Sequence, residues 1–208
     1  MKKANYIVFD CETGGFDSLK NPITQIALLT IDSTTLKEVD RYETYIKPYD
    51  DLVIGKEALA ITGLKMTDIN KGLDKKEAVD ILSKFFKKSM VNTRPENKPI
   101  LVGHNVQFDM GFLFYLFESC KKDVFSFVSE TQLDTMALSK MFNPNAASLK
   151  LGKCCEEVDI KLNDAHKAMN DVIATTQLFK VYINKLRNSN SSGAVSEQNV
   201  KSRIKFQF

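Results

Sequence analysis

The sequence predicts an α/β domain built on a mixed sheet covered by helices. Three observations predict it. Three strand-like runs follow one another between Tyr6 and Ile46. Later strand-like runs alternate with helical patterns. Apolar residues make up 43% of 208 positions, enough for one substantial core and too many for a wholly disordered chain.

The first element is Tyr6-Ile7-Val8-Phe9, a β-rich run that reads as a strand buried on both faces. It leads into Asp10-Cys11-Glu12-Thr13-Gly14-Gly15. Phe16 to Thr24 is a loop. Gln25 to Ile31 is a second strand, Asp32 to Thr35 a turn, and Leu36 to Ile46 a half-exposed third strand ending before Pro48. These three form a meander with the first strand central to the sheet. Ile54 to Ile69 holds short helical patterns around Thr62-Gly63-Leu64. Lys75 to Ser89 is an amphipathic helix, with Ala78, Ile81, Leu82, Phe85 and Phe86 at helical spacing.

After a polar loop from Asn92 to Lys98, Pro99 to Gly103 is a short buried strand, and Met110 to Cys120 an apolar, buried helix. Thr131 to Asp134 is a fifth strand and Thr135 to Phe142 a helix. Ser148 caps a helix to about Val158. Asn163 to His166 is a loop, and the last long helix runs from Lys167 or Ala168 to about Leu186. Asn188 to Gly193 reads as a flexible linker. The expected organisation is a domain over residues 1–187 and a tail over 188–208.

Composition narrows the function classes. No apolar run reaches the roughly 18 residues needed to span a bilayer. Asp10 interrupts the run after Met1-Lys2-Lys3 too early for a secretory signal, so a cytoplasmic protein is expected. Of the four cysteines none forms a C-x-x-C pair, which argues against a zinc site and a disulfide framework. Net charge is +3, and Arg187, Lys201, Arg203 and Lys205 against Glu197 account for all of it. Residues 1–186 are therefore neutral, and any nucleic acid must be held by a local site rather than a broad basic face.

Side chains alternate along a strand, so Asp10 and Glu12 point to the same side. Two such carboxylates repel unless a positive charge sits between them, and a divalent cation with oxygen ligands is the natural candidate. A solvated pair at a strand end is the plainer alternative. Asp109 follows the Ile100–Gly103 strand. If that strand is parallel to the first, both end at one sheet edge, where ligand sites form. His166 and Asp171 would stand roughly 140° apart on one continuous helix. They face one site only if His166 lies in the loop before the helix.

Three ordered segments carry a resemblance: Phe9-Asp10-Cys11-Glu12-Thr13-Gly14, then Val102-Gly103-His104-Asn105-Val106-Gln107-Phe108-Asp109, then His166-Lys167-Ala168-Met169-Asn170-Asp171. Over about residues 4–186 the chain resembles the DnaQ-like 3′–5′ exonuclease family, in its four-acid-plus-histidine (DEDDh) branch, which includes the proofreading epsilon subunit of bacterial DNA polymerase III. Glu57-Ala58 with Ile61 to Leu64 is similar to the family's substrate-wedge segment, and Leu133-Asp134-Thr135 to its fifth-strand end. Cys11 stands where threonine is common, and Thr62 where editing subunits often have histidine; neither touches a metal-ligand position.

The resemblance implies a ribonuclease H-like five-stranded sheet flanked by helices. It implies hydrolysis of the 3′-terminal phosphodiester of DNA to nucleoside 5′-monophosphates, with two divalent ions, Mg²⁺ or Mn²⁺. Asp10, Glu12, Asp109 and Asp171 would be the ligands and His166 the proton acceptor. Thr13, Gly14, Leu64 and Asn105 would grip the substrate, while His104 reads either as a further contact or as a brace for the Asn105 loop. Alternatives are an RNA-trimming exonuclease, an inactive module that holds a nucleic-acid end, and an aspartate-based phosphatase, which would want an aspartate where Glu12 stands. The basic and aromatic tail reads either as a tether to a DNA polymerase or clamp or as an end without a partner.

Overall fold

The structure, a computed structural model, describes residues 4–90, 94, 97–162 and 167–192. Its sheet has five strands: β1 (Tyr6–Thr13), β2 (Ile23–Ile31), β3 (Glu38–Tyr45), β4 (Ile100–Gly103) and β5 (Leu133–Asp134). They lie in the order β3-β2-β1-β4-β5, so the carboxylate strand is central. β1, β2 and β3 pair antiparallel, as a meander must. β4 is parallel to β1, and β5 to β4. β5 is shorter than the sequence pattern suggests.

Both faces of the sheet are covered. Ile7, Phe9 and Cys11 point into a core shared with α3 (Lys75–Ser89) and α4 (Val106–Ser119). Val8, from the alternate set, packs with Ala168, Val172 and Phe179 of α7 (Ala168–Ser192). A smaller cluster joins α7 to α6 (Leu151–Glu156), where Cys154 and Cys155 are buried beside Leu178 and Tyr182. α5 (Thr135–Phe142) rests on the same side: the Tyr182 hydroxyl and Ser139 Oγ lie 2.9 Å apart. α1 (Lys56–Thr62) and α2 (Met66–Ile69) form the connection from β3 to α3.

Helix boundaries also differ from the sequence pattern. α4 starts at Val106, so Asp109 falls inside its first turn rather than before it. α6 follows Lys150, and Ser148 contributes only an acceptor for the Lys150 N–H at 3.4 Å. α7 continues past Leu186 through Asn188–Ser192, where the sequence reads as linker. The reason is tertiary: Arg187 donates to the carbonyls of Ser33 and Thr34, which ties the end of the helix to the β2–β3 turn, while Ser189 Oγ donates within the helix to the carbonyl of Lys185. The loop from Asn163 to His166 and the tail from 193 to 208 lie outside the described residues. No helix among the described residues is long and apolar enough to cross a membrane.

Candidate active site

The site forms because β1 outruns its parallel neighbour. β4 pairs with β1 only from Tyr6 to Val8. Beyond that point the strand projects Asp10 and Glu12 toward the α7 face, on the same side as Val8. The odd-numbered set turns Cys11 into the opposite core. Packing of Val172 against Val8 brings the first turn of α7 over the two carboxylates. Oxygen atoms of Asp10, Glu12 and Asp171 consequently all lie within 4.8 Å of one another.

Asp109 arrives from the other helix layer. It is 4% exposed, and its Oδ1 accepts the backbone N–H of Cys11 at 3.0 Å, across 98 positions of sequence. It thus sits against the β1 backbone between Asp10 and Glu12, outside the triad of mutually close oxygens but near enough to act on Asp10 electrostatically. The condition set by the sequence, that β4 run parallel to β1, is met.

The electrostatics are those of a site built for cations. Burial pushes the Asp10 carboxyl well above its usual range, and Asp109, Glu12 and Asp171 push it further. Glu12 is raised from 4.5 to about 7, by burial first and Asp171 second. Asp109 is also raised, chiefly by burial, with the Cys11 N–H opposing the shift. Ionised together without a counterion these groups are costly. Hard oxygen donors at this spacing fit a divalent ion, and no cationic side chain forms an ion pair with Asp10, Glu12 or Asp109 among the described residues.

Two residues to which the sequence patterns assign no role at the site position this geometry. Asp134 caps α5 through the Met136 N–H at 2.8 Å and also accepts the N–H groups of Asn105 and Val106 at 3.0 and 3.3 Å. One carboxylate therefore caps two helices and fixes the start of α4, hence Asp109. Its place directly before a helical pattern was a legible hint of the first role, not of the second. Glu43 on β3 accepts the Met169 N–H at the start of α7 at 3.2 Å, and nothing in its alternating strand announces that.

The expected substrate residues divide. Thr13 and Gly14 line a cavity of about 560 Å³ that begins at Glu12 and extends to Phe16, Ile61 and Phe108. Gly14 contributes shape rather than free hydrogen-bonding groups. Its N–H donates to Pro22 O and its carbonyl accepts from Gly55 N–H, both at 2.8 Å. A Cβ there would stand 2.8 Å from Pro22 Cδ and 2.9 Å from Val53 O, so only glycine allows this approach. Leu64 lines a second cavity of about 380 Å³ between β3 and the start of α7. Asn105 lines neither: it is the exposed N-cap of α4, with φ of 68°, a left-handed conformation asparagine tolerates.

His104 is a brace. One ring nitrogen lies 2.9 Å from Thr135 Oγ1 and the other 2.7 Å from Leu149 O, tying the end of β4 to α5 and to the segment before α6. Burial lowers its pKa, keeping the ring neutral. Phe16, 85% exposed, meets Phe108 edge-on at 6.4 Å and completes an aromatic rim on the first cavity. His166 lies outside the described residues.

A model of the exonuclease family (RNase_T) matches residues 7–179. The PolC-type DNA polymerase III of Oceanobacillus iheyensis is 30% identical over 181 residues, covering 87% of this chain and 12% of that protein. Its counterpart in Bacillus subtilis is 26% identical over 186 residues, covering 86% and 11%. The chain thus spans only 11–12% of the length of these curated relatives. Among solved structures, the zinc-bound form of the E. coli exonuclease I complex with single-stranded DNA superposes with a TM-score of 0.74 at 22% identity, covering 88% of this chain and 41% of that one. Another exonuclease I–oligonucleotide complex gives 0.73 at 21%, covering 90% and 43%. These likenesses show a shared fold, the ribonuclease H-like mixed sheet flanked by helices. With the family model covering most of the domain and the DnaQ-like motifs ordered around one sheet edge, this chain belongs to the exonuclease family, in its DnaQ-like group of 3′–5′ exonucleases.

Proposed function

We propose that the protein removes the terminal nucleotide from the 3′ end of single-stranded or mispaired DNA, releasing nucleoside 5′-monophosphates. The observation that carries this reading is the convergence of Asp10, Glu12 and Asp171 within 4.8 Å, with Asp109 hydrogen-bonded to the strand between the first two. Asp10, Glu12 and Asp171 would hold one divalent ion, and Asp10 with Asp109 a second, as Mg²⁺ or Mn²⁺. When bound, such ions supply Lewis acidity at the attacking and leaving oxygens.

The chain's own groups do the rest. His166 takes the proton of the attacking water, an exchange an imidazole can perform near neutral pH. The water oxygen bonds to phosphorus, and the bond from phosphorus to the 3′ oxygen of the preceding nucleotide breaks. A 5′-monophosphate and a new 3′-hydroxyl result. The terminal nucleotide would enter the cavity lined by Thr13 and Gly14 and rimmed by Phe16, Ile61 and Phe108, with Leu64 packing against its base and Asn105 adding to the grip. Stacking on apolar surface supports binding of a polyanion by a body that is neutral over residues 1–186. DNA is favoured over RNA because the relatives are named as DNA polymerases and the solved complexes contain DNA. Residues 1–187 would form the exonuclease domain, and the basic, aromatic tail would tether it to a DNA polymerase or clamp.

Mononucleotide release from matched single-stranded DNA, mispaired duplex and RNA, with Mn²⁺ and with chelator, tests the reading. Release from DNA 3′ ends that chelator abolishes is the expected result. Preference for RNA would convert the assignment to an RNA-trimming enzyme, and no release from any end with Mn²⁺ present would leave only an end-binding module.

A further inference from the structure

Asp171 can join Asp10 and Glu12 only if the first turn of α7 is held at one height over the sheet. The hold comes from the sheet itself. Glu43 Oε1, on β3, accepts the Met169 N–H at 3.2 Å and the Gln25 Nε2–H at 3.1 Å. Met169 is the second residue of α7, and its N–H is one of the donors a helix start leaves without an intrahelical partner. A carboxylate there is also favoured by the helix dipole. Gln25 is 5% exposed and is the register partner of Glu12 across the β1–β2 pair. A continuous path therefore runs from the Glu12 backbone pair, through Gln25 and Glu43, to a residue two positions before Asp171.

We propose that Glu43 is a positioning residue for the metal cage: it fixes the start of α7 to the strand pair that carries Glu12, and so sets the approach of Asp171 to Asp10 and Glu12. The inference rests on the cation-site reading above. Its alternative is a surface carboxylate that merely tidies a helix end.

The experiment compares the 208-residue wild type, Glu43→Ala and Glu43→Gln for Mn²⁺ affinity by calorimetric titration, for amide exchange at Met169, and for turnover on a single-stranded oligonucleotide. Groups behind metal ligands commonly change affinity by 10–100-fold, so Glu43→Ala is expected to weaken Mn²⁺ binding by at least about tenfold. Exchange at Met169 quickens, kcat recovers at saturating Mn²⁺, and KM for the oligonucleotide stays put. Glu43→Gln keeps an acceptor oxygen for Met169 and restores most of the affinity. Wild-type Mn²⁺ affinity in Glu43→Ala, alongside faster Met169 exchange, overturns the proposal. Equal loss in Glu43→Gln also overturns it, because charge rather than the hold on Met169 would then be responsible. Failure of the wild type itself to bind Mn²⁺ overturns the cage reading, and this inference with it.

Discussion

The cage stores electrostatic strain when it holds no cation, and Glu12→Gln measures how much. Glu12 is 8% exposed, and its pKa is raised from 4.5 to about 7 by burial and by Asp171. A carboxyl raised on folding favours the folded state while both states are protonated. As pH climbs through the window from 4.5 to about 7, the unfolded chain gives up its proton first and that advantage is lost. At about 1.36 kcal/mol per unit, the full cost above that window is about 3 kcal/mol. Glutamine has the same shape and cannot ionise.

In chelator at pH 8, Glu12→Gln should therefore be more stable than wild type by about 3 kcal/mol, a rise in Tm of roughly 6–12 °C for a domain of this size. At pH 4.5 the two should melt together. Adding Mn²⁺ at pH 8 should restore the wild type and help the variant less, while the variant loses activity. The assay is thermal denaturation at the two pH values with and without metal. A chelated wild type that equals or exceeds Glu12→Gln at pH 8 would refute the reasoning.

Other expectations follow from single contacts. Asp109→Ala leaves the buried Cys11 N–H without its acceptor whereas Asp109→Asn does not, so in chelator the alanine variant should be less stable by about 1–3 kcal/mol in denaturant titration, with both inactive. His166→Ala should lose about 10²- to 10⁴-fold in kcat while binding Mn²⁺ as wild type does; normal turnover would remove His166 as the proton acceptor. Phe16→Ala, at a position 85% exposed, should leave the melting temperature alone yet raise KM for single-stranded DNA about tenfold through lost stacking.

The pairing of Asp10 with Glu12 was decided within the sequence, because strand alternation leaves a D-x-E no choice but one side. The mixed sheet and the order of its motifs were likewise legible, since apolar periodicity and turn residues act over a few positions. Other features arise between residues far apart in the chain: Asp109 against Cys11, Asp134 capping the starts of two helices, Glu43 reaching Met169 across 126 positions, and α7 running on to Ser192 because Arg187 finds carbonyls at Ser33 and Thr34. Only tertiary structure could decide these. A hydrogen bond is specific to an ångström or less, and neither partner's neighbours in sequence carry information about what the fold will bring to it.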